Sequence, residues 1–241
     1  MSANTKIAIG LIALALILAL SWWFTRRGAA ERSGTAGSSP LDEESMGYLR
    51  TNTSYLVWDG FHTRAEIIEM LPEVCTVDAD ESLIASLVDA EFARKRIAEH
   101  DWPGETDCDR LDAVFEEMHR QGIFAQQYVG YTQSDGFQDV SEALAEEPEG
   151  KYIGFCFYTA QDVEGLLDAD RSLLLAFGDS DMGEQAVDVG RKICGILQAA
   201  RFETEWNGAS DSRIRIKNVD WKRRAGSRNA SSFKSHQCAS R

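Results

Sequence analysis

Apolar residues recur along the middle of the chain with helical spacing first and with strand-like spacing later. Apolar positions three and four apart, opened by Ser, Thr or Asp, predict helices at about 43–59, 64–74 and 80–100. Thr63 with Glu66, and Asp78 with Glu81, have capping-box spacing, in which two residues three apart satisfy each other's free backbone N–H groups. Pro103 closes this region. A fourth helix is expected over 107–121, with Leu111, Val114, Phe115 and Met118 on one face and Gly122 as its stop.

From there strands near 123–130, 152–158 and 172–177 alternate with helices near 137–147 and 160–168. "YIGFCFY" and "LLLAF" are almost continuously apolar, as strands covered on both faces are, so they are expected at the centre of the sheet. A helix near 183–200 should bury Ala186, Val189, Ile193, Ile196, Leu197 and Ala200. "FETEW" and "RIRIKNV" flank "NGASDS" as a closing hairpin. The expected fold is α+β: N-terminal helices, then one mixed sheet of about five strands ending in a C-terminal hairpin. Glu203 and Glu205 alternate on one strand and Arg213, Arg215 and Lys217 on the other, so the two rows are read as pairing across the outer face, with a phosphate-binding stripe as the alternative.

The ends of the chain depart from this pattern. Residues 7–24, "IAIGLIALALILALSWWF", form an uncharged 18-residue run, which as a helix is roughly 27 Å long, close to a bilayer core. Trp22, Trp23 and Phe24 stand where the interfacial aromatic belt belongs, and Arg26 and Arg27 follow. These features favour a single N-terminal transmembrane helix over a cleaved signal peptide, although Ala19-Leu20-Ser21 would pass as a cleavage site. The basic residues on the C-terminal side orient the remainder to the cytoplasm. The expected organisation is an anchor at 1–24, a Gly/Ala/Ser-rich linker at 25–41, a globular domain at 42–224 and a disordered basic tail at 225–241.

Charge sharpens that division. The first 32 residues carry four basic groups against one acidic, residues 213–241 carry nine against one, and the stretch between carries 12 against 37. A body at −25 repels nucleic acid, so only the ends could meet anionic partners. The tail, with Lys222, Arg223 and Arg224 before it, is a candidate for contact with anionic lipid. Five cysteines, odd in number and without a CxxC, fit a reducing compartment better than a disulfide framework or a zinc site.

Candidate chemistry is sparse. In "WPGETDCDRLDAVF", Thr106 fits an N-cap with Asp109 as its reciprocal partner, and Asp107 meets the positive end of the helix dipole. Only Asp109 and Asp112 share a helical face, which makes them weak candidates for a divalent cation that would need further oxygen ligands. "TQSDG", 132–136, misses the nucleophile-elbow pattern by its first glycine. No histidine is placed to activate Ser134: His236 lies in the tail, and His62, His100 and His119 precede it at helices or helix edges. Cys108 has no base that the sequence sets beside it. "GDSDMGE", 178–184, lacks the glutamate spacing of a calcium loop and reads as a turn and cap. Polar residues gather after the strands at Tyr131–Asp135, Tyr158–Asp162 and Asp179–Asp181. Strand C-terminal ends form ligand crevices in open sheets with parallel neighbours, so Tyr131, Gln133, Ser134, Asp135, Gln161 and Asp162 are the candidate ligand-binding residues. Helix caps explain the same residue types.

"LVWDGF" (56–61), "WPGETDCDRLDAVF" (102–115), "GYTQSDGF" (130–137), "GFCFYTAQDVE" (154–164), "LAFGD" (175–179), "EWNG", "RIRI" and "DWKRR" together resemble an uncharacterised bacterial family, a domain of unknown function common in actinobacteria, over Tyr55 to about Arg224. Some similar members carry a cysteine-rich turn where this chain has "YTQSDG", which implies that cysteine-based redox or metal chemistry does not operate there. The resemblance implies a single domain and assigns it no activity. The sequence therefore points to a membrane-tethered, non-enzymatic interaction or regulatory module with a protein partner and no cofactor. The alternative is a small-molecule or divalent-metal-dependent enzyme using the strand-end crevice.

Overall fold

The computed structural model describes residues 41–180 and 185–225. The expected anchor at 7–24, most of the linker and the tail beyond Ala225 lie outside the described residues. Among those described, no helix is long and apolar enough to cross a membrane.

Among the described residues three helices come first: α1 (Glu43–Trp58), α2 (Arg64–Cys75) and α3 (Glu81–Glu99). They pack around Leu49, Val57, Ile67, Leu71, Ile84 and Val88, a small core of their own. Thr63 and Glu66 form the expected capping box on α2. On α3 the expected pair fails. Asp80 is the N-cap and accepts from Ser82 N–H, because Val77 and Ala79 pack against the helical core and keep the chain non-helical up to that point.

The remainder is α4 (Asp107–Arg120), β1 (Ile123–Gln126), α5 (Gln133–Ala145), β2 (Gly154–Phe157), α6 (Ala160–Gly165), a π-helical turn (Leu166–Asp170), β3 (Leu173–Asp179), α7 (Ala186–Ala199), β4 (Glu203–Glu205) and β5 (Ile214–Lys217). The fold is α+β, with one five-stranded sheet in the order β1-β2-β3-β5-β4. β1 and β2 run parallel, with Ile123 beside Gly154, and the other pairings are antiparallel. Leu111, Phe115, Met118, Val189, Ile193 and Leu197 from α4 and α7 cover one face against Ile123, Ala125, Cys156, Leu173 and Leu175. Val140 and Phe137 of α5 cover the other against Phe124, Phe155, Phe157 and Ala176. Alternate residues of β2 thus enter different cores, which is why its run of apolar side chains has no polar gap.

Several boundaries move for physical reasons. β1 stops at Gln126 because Tyr128 adopts φ +57 and turns the chain out of the ladder. α5 begins four residues before the expected position, on a Thr132–Asp135 capping box. α6 gives way to the π turn after Gly165, and Arg171 ends it at φ +46. Because β3 is antiparallel to β2, its C-terminal end lies at the opposite edge of the sheet. The polar residues after β3 therefore do not join those after β1 and β2. Asp179 is buried and accepts from Gln185 N–H at 2.9 Å, just before α7. Glu203 pairs with Lys217 at 2.6 Å and Glu205 lies opposite Arg215, as the charged rows predict. Arg213 instead reaches inward to Asp162 and to the Leu174 carbonyl.

Candidate functional site

The strand-end edge of the parallel pair is the place the sequence marks, and the fold builds it. The turns after β1 and β2 lie side by side: Val129 N–H donates to the Tyr158 carbonyl, Ala160 N–H to Gly130 and Gln161 N–H to Tyr131. Tyr131, Gln133, Ser134, Asp135, Gln161 and Asp162 therefore share one edge. Tyr131, Asp135 and Asp162 have side-chain partners there. Thr132 N–H and Oγ1 both donate to Asp135, whose carboxyl is held below its ordinary range by those bonds. Thr159 and Asp162 repeat the pattern, and Asp162 also carries the ion pair to Arg213 at 2.5 Å. Gln133, Ser134 and Gln161 sit in the first turns of α5 and α6. The T-x-x-D spacing at 132–135 and 159–162 matches that at 106–109, and applied consistently it would have assigned all three as caps.

Inward of these caps, the edge is filled by the chain itself. Arg223 is 3% exposed and grips Asp112 with two N–H groups at 2.7 and 3.2 Å and Gln127 at 2.9 Å. Gln127 also accepts from the Tyr158 hydroxyl at 2.7 Å and donates to Asp112 at 2.9 Å. The guanidinium lies 4.5 Å over the Phe61 ring and 5.4 Å from Trp221. Burial works against its charge, and Tyr158 and Asp112 outweigh that, so it stays cationic. Gly60, at φ +81, permits this approach: a Cβ there would stand 2.6 Å from Arg223 Cγ.

Beside this pair Asp59 is also buried. The Tyr128 hydroxyl donates to its Oδ2 at 2.7 Å, Phe61 N–H donates to Oδ1 at 2.8 Å, and His62 Nε2 stands 3.2 Å from the Tyr128 oxygen and 3.5 Å from Oδ2. With the Tyr128 proton committed to Asp59, Nε2 is the donor to Tyr128. Burial raises the Asp59 carboxyl, with His62 and Tyr128 opposing. The fully buried Lys95 donates to the Val57 carbonyl at 2.8 Å and is pushed down to about 8 by burial. Asp59, Tyr128 and His62 thus form one hydrogen-bonded chain.

Outward, the rim is aromatic and acidic. The Tyr55 hydroxyl donates to Asp168, and Tyr131 to Glu164 at 3.0 Å. Tyr48 and Tyr131 are each about half exposed. Partial burial first, and then Asp168 and Asp59, raise the Glu164 carboxyl.

The weak metal candidates resolve into other roles. Asp109 accepts from Thr106 N–H and Oγ1 and pairs with Arg224 at 3.2 Å, while Asp112 holds Arg223. No group of three or more potential ligands gathers among the described residues. Lys222 pairs with Asp220 and Arg224 with Asp109, which ties the "KRR" run to the fold. Four cysteines, Cys75, Cys108, Cys156 and Cys194, are free thiols. Burial pushes Cys108 up to about 12.

The sequence reading missed Asp59, His62, Lys95, Tyr128 and Arg223. His62 was discounted for its helix-edge position, yet that position brings it to the strand ends. A usable signal was present: "LVWDGF", "WPGETDCDRLDAVF", "GFCFYTAQDVE" and "DWKRR", which carry the family resemblance, supply Asp59, Asp112, Tyr158 and Arg223 to one place.

The fold and this edge together define an α+β domain whose parallel strand ends are sealed by its own N-terminal helical unit and C-terminal residues. The chain belongs to a family described as a domain of unknown function, DUF6891, whose model matches residues 42–225. No curated protein and no solved structure gives a significant match.

Proposed function

We propose that this chain is a membrane-tethered, non-enzymatic interaction or regulatory module: residues 7–24 anchor it in the bilayer, residues 25–41 tether it, and the domain binds a protein partner on the cytoplasmic side. One observation carries the reading. The strand-end edge, where a small substrate would bind, is filled by Asp59–His62 and Trp221–Arg223, and its carboxylates serve as caps and ion-pair partners. What remains outward is a rim of Tyr48, Tyr55 and Tyr131 with Glu164 and Asp168, on a body of high negative charge. Aromatic faces beside carboxylates suit lysine or arginine side chains, and nucleic acid is disfavoured.

His62 favours a second reading, because its contacts with Tyr128 and Asp59 are those of an oriented general base. A thermal-shift screen against divalent cations, nucleotides and common metabolites separates the two. A ligand at a hundred times its dissociation constant adds about 2.7 kcal/mol to the folded state. A raised midpoint that disappears in His62→Gln or Asp135→Asn promotes the enzyme in the crevice. No shift across the panel, with the full chain in the carbonate-resistant membrane fraction, supports the tethered module. Release of the full chain by carbonate would remove the anchor from the proposal.

A further inference from the structure

A groove of about 550 Å³ runs between α4 and α7, on the far side of the sheet from α5 and apart from the strand-end edge. It is lined chiefly by Ala113, Val114, Glu117, Ile196, Ala199 and Ala200. The two helices run antiparallel: Arg110 at the start of α4 donates to the Ala200 carbonyl after the end of α7, and Lys192 early in α7 donates to the Gln121 carbonyl beyond the end of α4. The channel exists because alanine and glycine stand where larger side chains would close the space between them. Its floor is apolar, and Ala113 and Ala199 are exposed.

We propose that this groove is the docking site of the chain's own C-terminal segment, residues 226–241, with Phe233 as the anchor. The described chain ends near the start of α4, where Arg224 also donates to the Pro103 carbonyl and Ala225 N–H donates to Glu99 at the end of α3. Arg224 is paired with Asp109, and Asp109 lies one helical turn before Ala113 on the same face of α4. The groove then extends to Gln121, about 12 Å along the helix. Phe233, nine residues after Arg224, can lie as much as roughly 30 Å from it in extended chain, so the whole groove is within reach. The chemistry also matches. Phe233 is the one bulky apolar residue of a segment that otherwise carries Arg228, Lys234 and Arg241 and no acidic side chain. The exposed edge of α4 presents Glu116, while Glu117 in the groove lining is half-buried and paired with Arg120. Lys192, which also lines the groove, has its ammonium drawn to the Gln121 carbonyl and leaves the floor apolar.

The test is Phe233→p-benzoylphenylalanine in the full chain, illuminated in its native membrane and mapped by tryptic mass spectrometry. The expected adducts join position 233 to the peptides Leu111–Arg120 and Ile193–Arg201 of the same molecule. They should be lost when Ala199→Trp fills the groove. Ala113→Trp, from the opposite wall, provides the same control if Ala199→Trp lowers the melting midpoint. Adducts to phospholipid, to a second copy or to other parts of the domain overturn the proposal. So do adducts that persist in both filled variants, or an absence of adducts.

Discussion

Replacing Lys95 by methionine is expected to stabilise the domain at neutral pH and to lose that benefit as the pH rises. The Lys95 ammonium is fully buried with one carbonyl acceptor, and burial lowers its pKa from 10.5 to about 8. The unfolded chain therefore binds the proton more tightly than the folded one, and the fold pays for holding a charge below pH 8. Linkage puts that cost at about 3 kcal/mol at pH 7 and about 2 at pH 9, with little left at pH 10.5. Methionine keeps the length of the side chain and removes the charge, but it leaves the Val57 carbonyl without its donor, a loss of about 1 kcal/mol. Lys95→Met should then be more stable by about 2 kcal/mol at pH 7, with the advantage vanishing near pH 10. Urea unfolding of residues 42–225, followed by tryptophan fluorescence at several pH values, measures it. Cys108 and Tyr55, both raised to about 12, lose protons sooner in the unfolded chain. They lower stability above pH 9 in both proteins, so the Tyr55 effect cancels in the difference and that of Cys108, which interacts with Lys95, cancels in part. A variant less stable at pH 7 by 2 kcal/mol or more, or a difference that does not narrow with pH, would refute a neutral-seeking buried lysine.

Other expectations follow from the same geometry. Asp112→Asn or Arg223→Met should cost about 3–5 kcal/mol in chemical denaturation, because each leaves a buried charge unpaired. Gly60→Ala should cost about 1–3 kcal/mol from its positive φ alone, and more if Arg223 cannot yield to the new Cβ. Thr132→Ala and Thr159→Ala should each lose about 1 kcal/mol as cap deletions, measured by thermal melts. Lys217→Gln should leave stability essentially unchanged, since its pair with Glu203 is exposed, whereas Arg213→Gln should be measurably destabilising through the buried Asp162.

The element order, the mixed five-stranded sheet and the covered central strands were legible because periodicity and apolar runs report burial directly. The Thr106–Asp109 cap was legible for a local reason: its partners are three residues apart. Strand direction was not. Nothing in "LLLAF" says that β3 opposes β2, and that direction sends the residues after β3 to the other edge. The sealed edge was hidden for the opposite reason, since Asp59 meets Trp221 and Asp112 meets Arg223 across more than a hundred residues. A basic run such as "KRR" looks identical on a surface and in an interior until its partner is known.

The order in which those partners leave the ribosome has its own consequence. Gln127 and Arg223 are 96 residues apart, so at synthesis rates of roughly 5–20 residues per second the acceptors wait some 5–20 s for their arginine. During that interval the helical unit and the first strands exist without the residues that join them, and Asp59 and Asp112 remain open to water. The nascent domain stays incomplete until almost its last residues are made. A message cut short before Trp221 would leave a product with its interior carboxylates exposed, suited to recognition by chaperones and proteases.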